Sequence, residues 1–415
     1  MVSDATPQMS SGTRLTRAVA RVIVSLGVAN VALYIVYMGV LQLLLPHQLG
    51  EIDPQNKVSL FGVVTGIGAF AATVSNPIAG ALSDRTHTRF GRRTPWIFAV
   101  ALIAAPTLAL LGAMSTVLGV IIGWCLVQIV MNCFQASFAA VVPERIPADQ
   151  RGLASAALGV GVPLGIMIGT LVGQRLLPNL PSAYGALGIV FAIVALLFVA
   201  INREGPLAPR TPPPKASFAE FFSALADADF RWTFISRFLI NLNYCATTAF
   251  HLYLLQDYAR LHAGQTPEQA LVAVNTAGMT SMVVATLFFG WASDLARRRK
   301  VFVSGSALAL TLSALIPIVW PSYEGLLTFA ICNGLGMGCY LAVDTAVATQ
   351  VLPDQKSQAR DLGVFNIASA GPQIMGPFVA SMIVAHFGGY PAMLVYGAAM
   401  AAISAVTILR VRKVR

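Results

Sequence analysis

The sequence predicts an all-α polytopic membrane protein with twelve transmembrane helices in two pseudo-symmetric six-helix bundles. Three observations lead to this fold class: an apolar composition, a regular series of long apolar runs, and an internal repeat. Hydrophobic residues make up 56% of the 415 residues and charged residues only 11%, whereas about 25% of residues are charged in soluble domains. So few charges cannot cover the surface of a soluble chain of this size, which excludes a soluble enzyme, a disordered protein and a secreted disulfide-rich protein.

The apolar runs are long enough to cross a bilayer, because a helix that spans the hydrocarbon core needs about 20 apolar residues. Twelve runs qualify, and we number them spans 1 to 12: 18–45, 58–82, 96–114, 117–142, 152–176, 184–203, 230–256, 271–292, 301–320, 324–350, 362–386 and 390–410. They predict a cytoplasmic N-terminal tail at 1–17, an N-terminal six-helix bundle at 18–203, a cytoplasmic linker at 204–229, a C-terminal six-helix bundle at 230–411 and a cytoplasmic tail at 412–415. The proline-rich linker region is expected to contain a short interfacial helix at Ser217–Ala226.

The positive charges predict the orientation of the spans. The net charge is +10, from 27 Lys and Arg against 17 Asp and Glu. With both termini in the cytoplasm, 24 of the 27 bases lie on the cytoplasmic side, and Lys57, Arg175 and Arg260 lie outside. This asymmetry predicts a multi-pass protein of the cell membrane with both termini cytoplasmic. Because the bases fall between apolar runs and not on one soluble face, we expect no nucleic-acid partner.

The two halves of the chain resemble each other at an offset of about 210 residues. Gly80–Asp84 (GALSD), after span 2, matches Gly290–Asp294 (GWASD), after span 8. Val142-Pro143 likewise matches Leu352-Pro353. Two six-helix repeats with a binding site at their interface are typical of secondary transporters.

These motifs carry a resemblance to a known family. The doubled G-x-x-[SA]-D loop with its basic cluster resembles the signature loop of the major facilitator superfamily, over the whole chain. The stretch at 83–96, S-D-R-T-x-T-R-F-G-R-R-x-P-W, is similar to the glycoside–pentoside–hexuronide cation symporters and the related sucrose transporters. Asn132–Gln135 in span 4 also resembles a sucrose-transporter segment. The resemblance implies a fold of two six-helix bundles that expose a central site alternately to each side of the membrane.

Polar side chains recur at helical spacing in spans 1, 4, 7 and 10, whereas spans 3, 6, 9 and 12 have no comparable stripe. This pattern predicts a central aqueous cavity, although any single amide can instead join helices by hydrogen bonds. Amide and tyrosine side chains suit a neutral, hydroxyl-rich ligand such as a sugar, and also other amphipathic solutes. The predicted substrate-binding residues are Asn30, Tyr34, Tyr37, Gln128, Asn132, Gln135, Asn241, Tyr244, His251, Asn333, Tyr340, Asn366 and Gln373.

Asp344 is the acid that the sequence places deep inside a span. An isolated carboxylate there is costly and favours its protonated form, so we predict that Asp344 is the proton-coupling residue. The alternative is an acid paired with Asn333, Tyr340 or a neighbouring helix. Arg237, two turns into span 7, is either an anchor that reaches the interface or a cation of the cavity.

Acids also end spans 2 and 8 on the cytoplasmic side, where a helix C-terminus disfavours them unless a partner compensates. The superfamily resemblance implies a gate that holds one state of the carrier and breaks on switching. The predicted gating residues are Asp84, Arg85, Arg92, Arg93, Asp294 and Arg298.

Three positions depart from the sugar-carrier pattern. The symporters have an acid at the position of Asn76, and the sucrose transporters have an acid at that of Gln128 and an arginine at that of Ala139. Either coupling has moved to Asp344, or the carrier is uncoupled, or the solute is not a sugar. Span 5 offers a rival resemblance to the Gly-Pro motif of drug antiporters, although Val162 precedes its proline.

The sequence therefore predicts a secondary active transporter, foremost a proton-coupled sugar or glycoside symporter. The alternatives are a proton-coupled exporter of an amphipathic metabolite or drug and, outside transport, a membrane-embedded receptor or assembly factor. We find no clustered catalytic or metal-ligand set that would indicate an enzyme. The five cysteines lie within apolar runs, so we expect no disulfide, no metal site and no cofactor. The expected partners are a small solute, a proton or sodium ion and the lipid bilayer, with the chain a monomer.

Overall fold

The fold is a bundle of long helices in a computed structural model that describes residues 16–86, 88–147, 150–203, 223–296, 298–352 and 358–413. Spans 1 to 6 are Arg17–Ile52, Lys57–Arg85, Thr94–Gly112, Val117–Ala139 continued by Val141–Arg145, Arg151–Gly159 with Gly161–Leu176, and Leu180–Ile201. Spans 7 to 12 are Ala228–Thr248 with His251–Asp257, Pro267–Ala296, Arg299–Val319, Tyr323–Gln350, Gln358–His386 and Gly389–Leu409.

Among the described residues, eleven helices are long and apolar enough to cross a membrane. The one predicted span that is not among these eleven is span 7, which a turn at Ala249 and Phe250 divides into helices of 21 and 7 residues. The sequence placed a single helix at 230–256, and the break falls beside His251, where this span carries polar side chains. The all-helical fold class is confirmed.

Span 1 is longer than predicted, since the sequence placed its end at residue 45. A π-helical turn at Val40–Leu44 leads into a further helix, Leu45–Ile52. The buried Gln48 stabilises this extension, since its amide donates hydrogen bonds to the Leu111 and Met114 carbonyls, both at 2.9 Å. The linker falls mostly outside the described residues: the predicted interfacial helix reaches them only as a short 3₁₀ turn, Ser223–Ala226.

The packing of the spans repeats between the two halves. Spans 1 and 5, 2 and 4, and 3 and 6 pack together, and so do their counterparts 7 and 11, 8 and 10, and 9 and 12. Across the halves, span 2 packs on span 11 and span 5 on span 8, a pair of contacts that the same pseudo-symmetry relates. The repeat seen in the sequence is therefore a repeat of helix packing.

Glycines allow spans 1 and 5 to approach closely. A Cβ atom at Gly165 would lie 2.6 Å from the Tyr34 carbonyl carbon, and one at Gly169 would lie 2.5 Å from the Ile35 oxygen. Either side chain would force the helices apart, so small residues set this backbone-to-backbone contact, as is common between transmembrane helices.

The two ends of the bundle differ in which residues join the halves. We call the end that holds the described chain termini, Thr16 and Lys413, the basic end, and the opposite one the distal end. At the distal end Lys57 Nζ lies 2.7 Å from Asp257 Oδ1 and 3.1 Å from Gln256 Oε1, across the halves. The Tyr253 hydroxyl donates to the Pro46 carbonyl at 3.1 Å. These contacts hold the two halves together at the distal end.

The outer surface of the bundle is apolar. Large side chains point outward along many spans, including Phe70, Leu287 and Val319, which are 70%, 73% and 85% exposed. Exposed patches of this extent do not occur on soluble monomers, and they fit the hydrocarbon of a bilayer. The chain is a multi-pass membrane protein.

Candidate solute and proton site

A buried ion pair joins spans 7 and 10. Arg237 Nη1 lies 3.1 Å from Asp344 Oδ2, and the Tyr340 hydroxyl donates to Asp344 Oδ1 at 2.6 Å. Asp344 is only 8% exposed. Tyr340 precedes Asp344 by one helical turn, which brings its hydroxyl back onto the carboxylate. Asp344 is thus not the isolated carboxylate that we expected, because Arg237 from span 7 neutralises it.

Arg237 also connects this pair to span 11. Its Nε donates to Ser369 Oγ at 2.9 Å. Ser369 shares one helical face with Asn366 and Gln373, three residues before it and four after it. Both amides are exposed. The predicted binding residues of span 11 therefore lie on the face that Arg237 contacts.

The N-terminal half carries a network of amides. Asn132 of span 4 donates to the Tyr37 hydroxyl at 3.2 Å, and its Oδ1 accepts a hydrogen bond from Asn76 Nδ2 at 3.1 Å. Asn132 also donates to the Gln128 carbonyl at 2.8 Å. Asn76, where the sugar symporters have an acid, is thus part of a neutral network built from spans 1, 2 and 4.

Among the other predicted residues of the N-terminal half, Asn30 joins two spans, whereas Tyr34 and Gln135 lie near members of the network. Asn30 donates to the Leu158 carbonyl at 2.7 Å and so joins spans 1 and 5, which is the interhelical role that the sequence left open. Tyr34 and Tyr37 have ring centroids 6.4 Å apart. Gln135 lies one turn beyond Asn132 on span 4 and is partly exposed.

Apolar packing brings the two networks to the same interface. Met38, next to Tyr37, packs in one cluster with Tyr340 and Tyr244 of the C-terminal half. Ile166 of span 5 is buried in that cluster. Residues next to the charged pair of one half and next to the amides of the other therefore pack in one cluster.

Span 7 carries a continuous polar stripe towards the distal end. Arg237, Asn241, Tyr244 and Thr248 follow each other at intervals of four and three residues, which is one face of a helix. His251 follows the turn at Ala249 and Phe250 and lines one pocket with Tyr244 and Thr248. Asn241 Nδ2 donates to the Arg237 carbonyl at 2.8 Å. His251 is buried at the far end of this stripe.

His251 ends a chain of hydrogen bonds that crosses between the halves. Its Nδ1 lies 3.1 Å from Asn275 Oδ1 of span 8, and Asn275 Nδ2 donates to Gln42 Oε1 of span 1 at 2.9 Å. Gln42 lies in the π-helical turn of span 1, a local distortion that frequently marks functional sites.

The predicted gate residues form a cluster at the basic end. Arg93 Nη2 contacts Asp84 Oδ1 and lies 2.9 Å from Glu144 Oε1, and Arg93 Nη1 donates to Ser83 Oγ at 3.0 Å. Arg92 Nη2 is 3.5 Å from the same Glu144 oxygen. Burial alone lowers the pKa of Arg93, but the hydrogen bonds and charges of Glu144 and then Asp84 outweigh it, so its pKa lies above the ordinary value. Arg93 is therefore charged at every physiological pH.

The other predicted gate residues lie at or near the ends of spans 2, 8 and 9. Arg85 ends span 2, and Arg298 is exposed at the cap of span 9. The side chain of Asp294 lies outside the described residues.

Six participants were missing from the predicted site. Arg237 and Asn76 were considered but not included, and Glu144, Ser369, Gln42 and Asn275 were not considered. Ser369 and Arg237 could have been predicted from the sequence, because each lies three or four residues from a predicted site residue in the same helix. No spacing signal links Gln42 to Asn275, because their contact joins the two halves.

A buried charge pair and amide networks between two pseudo-symmetric helix bundles define a membrane transporter. The chain belongs to the Major Facilitator Superfamily, which matches residues 22–267 and 264–415. Because this is a family of transporters, the chain is a transporter and not an enzyme. The predicted superfamily resemblance is confirmed.

The similarity to individual known proteins is low in sequence identity. The chain is 25% identical over 355 residues to the purine ribonucleoside efflux pump NepI of Salmonella paratyphi B, covering 83% of each chain. Its fold is similar to a crystal structure of the peptide transporter POT with sulfate, with a TM-score of 0.73, 12% identity, and 94% and 93% of the two chains covered. It also resembles a bacterial homologue of the human lysosomal transporter Spinster, with a TM-score of 0.70, 14% identity, and 96% and 99% covered.

Proposed function

We propose that the chain is a proton-coupled secondary carrier of a small, neutral, hydroxylated solute. The observation that carries this proposal is the buried Arg237–Asp344 pair with Tyr340 on the carboxylate. A proton that neutralises Asp344 leaves Arg237 as an uncompensated buried charge, which is strongly unfavourable. Proton binding must therefore be accompanied by a rearrangement around Arg237, which is the requirement for coupling.

The surroundings of the pair support a neutral solute. The N-terminal network offers amide and phenol groups from Asn76, Asn132 and Tyr37. The described side chains that these hydrogen bonds join are all uncharged. Amides donate to and accept from hydroxyl groups, and tyrosine rings pack on apolar faces of a ligand. A charged solute would instead need a charged partner in a buried site.

Two solute classes fit this site. Efflux of a nucleoside-like solute is favoured by the similarity to a purine ribonucleoside efflux pump over most of the chain. Uptake of a sugar or glycoside is favoured by the stretch at 83–96 and by the amide lining, and it uses the same coupling pair. The charge asymmetry of the sequence supports a cell-membrane location with the basic end in the cytoplasm.

Transport by purified protein in liposomes tests this proposal. Radiolabelled inosine and methyl β-D-glucoside are offered to vesicles with an acid interior, an alkaline interior or no gradient. An antiporter accumulates its solute in vesicles with an acid interior, and a symporter in vesicles with an alkaline interior. A protonophore should abolish either accumulation. Equal solute levels under all three conditions would contradict proton coupling, and transport of neither solute would contradict the solute class.

A further inference from the structure

A small pocket lies between spans 7, 8 and 10, at the distal end of the polar stripe of span 7. Tyr244, Thr248, His251, Asn275 and Asn333 contribute to its lining. It has room for one water-sized group. Tyr244 is one turn from Asn241, so the pocket continues the stripe that begins at the Arg237–Asp344 pair.

Three buried polar atoms of this pocket have no hydrogen-bond partner within the described part of the chain. They are His251 Nε2, Asn333 Nδ2 and the Tyr244 hydroxyl. His251 and Asn333 are only 6% and 3% exposed. Buried polar groups of native proteins are nearly always hydrogen-bonded, and an unpaired one costs about 1–3 kcal/mol. Three such atoms around one cavity indicate a missing ligand group.

The hydrogen bonds around the pocket determine what that group must offer. Asn275 Nδ2 donates to Gln42, so Asn275 Oδ1 faces His251 Nδ1 and accepts its proton. His251 Nε2 then presents a lone pair to the pocket. Asn333 Nδ2 can only donate. The ligand group must therefore donate to the imidazole and accept from the amide.

We infer that the pocket binds one hydroxyl group of the transported solute, an inference that rests on the proposed function and specifies it. A hydroxyl has the size of a water molecule and both donates and accepts. A carboxylate has no proton for His251, and an ammonium group has no lone pair for Asn333. In the unloaded carrier a water molecule takes the same place. The pocket lies beside the His251–Asn275–Gln42 chain of hydrogen bonds, which joins the halves near the distal end.

Monodeoxy analogues of the solute test the inference. Inosine is compared with its 2′-, 3′- and 5′-deoxy forms, and methyl β-D-glucoside with its monodeoxy forms, by kcat/KM in liposomes. The wild type should handle one analogue at least about 10-fold less well than the parent, because that analogue leaves buried polar groups unpaired. In Asn333→Leu and His251→Leu this ratio should fall towards 1, while the ratios for the other analogues stay unchanged.

The control is Thr247→Val, because the Thr247 side chain lies beside Gly397 of span 12, outside the pocket lining, and its hydroxyl donates to the Asn243 carbonyl at 2.9 Å. It should keep the wild-type ratio. Asn333→Ala, which cannot overfill the pocket, replaces the leucine variant if that variant does not fold. The inference is overturned if the variants lower transport of parent and analogue equally, or if the wild type does not discriminate. Transport of neither solute by the wild type overturns the proposed function and this inference with it.

Discussion

Arg237 of span 7 and Asp344 of span 10 form an ion pair of 3.1 Å in the interior of the C-terminal half. The same guanidinium bonds Ser369 of span 11, and the same carboxylate accepts the Tyr340 hydroxyl. One arginine thus links three spans that line the centre of the carrier. A change of charge at Asp344 acts on all three.

Neutralising one member of this pair should lower the free energy of unfolding more than neutralising both. Arg237→Gln leaves Asp344 as an unpaired buried charge, and we expect the free energy of unfolding to fall by about 3 kcal/mol. Arg237→Gln with Asp344→Asn removes both charges and should recover most of that loss. Reversible unfolding in mixed micelles measures Arg237→Gln, Asp344→Asn and the double variant. An additive double variant would mean that the two side chains do not interact.

The distal contacts should favour the state in which that end is closed. Lys57→Met removes the contacts with Asp257 and Gln256 and also the cation over the Tyr253 ring, at 5.2 Å from its centroid. We expect a larger population of distal-open carriers. Spin labels at positions 53 and 264, in a chain with its five cysteines replaced, report the distance between the two distal loops.

Arg175→Met is the matched control for this experiment, because Arg175 is an exposed base near the same end. It should leave the distance distribution unchanged, whereas Asp257→Asn should reproduce the effect of Lys57→Met. Wild-type distance distributions for both Lys57→Met and Asp257→Asn would contradict a role of these distal contacts in closing that end.

The stability of the cluster at the basic end should depend on Glu144. Glu144→Gln removes the acid that the buried Arg92 and Arg93 share, at 3.5 Å and 2.9 Å. We expect a loss of about 2–3 kcal/mol in unfolding free energy and slower transport. Glu51→Gln, at an acid whose side chain is 60% exposed, should change neither. Equal stability of both variants would contradict a structural role for Glu144.

The pair Asp227–Lys413 should make stability depend on pH. Burial raises the pKa of Asp227, but the hydrogen bond from Lys413 and those from the backbone outweigh it and lower this pKa. A lowered folded-state pKa stabilises the protein above the unfolded pKa of about 3.9, and the benefit is lost as pH falls through the folded value. Asp227→Asn keeps the cap of span 7 but loses the charge and the hydrogen bond from Lys413 Nζ, so it should be less stable at pH 7.

Thermal unfolding at two pH values checks this expectation. The contribution of this exposed pair is small, about 0–1 kcal/mol, and should shrink further when salt is added. Asp227→Ala, which also loses the cap to Asp229 and Phe230, should cost about 1 kcal/mol more. A difference between wild type and Asp227→Asn that is as large at pH 3 as at pH 7 would contradict the linkage.

Much of the fold follows from local properties of the sequence. Long apolar runs, the charge asymmetry and the repeat predict helices and their pairing, because each depends on residues close in the chain or on the offset between halves. The break in span 7 was not predictable, because no proline or glycine marks Ala249 and Phe250. The extension of span 1 depends on Gln48, whose partners lie in span 3 and the loop after it.

The site could be predicted only in part. Helical spacing identified the faces of spans 4, 7, 10 and 11 that carry polar side chains. It could not show that Arg237 neutralises Asp344, or that Asn30 joins two helices, because these partners are set by the relative rotation of packed spans. For the same reason Glu144 was missed, since Arg93 reaches it from 51 residues away.

The most direct test of proton coupling is Asp344→Asn in liposomes, assayed in two ways. Exchange of labelled for unlabelled solute without a gradient needs no net proton movement, whereas accumulation against a concentration difference needs it. Asp344→Asn should keep measurable exchange and lose accumulation driven by the pH gradient. Accumulation by Asp344→Asn at the wild-type level would contradict the assignment of Asp344 as the proton site.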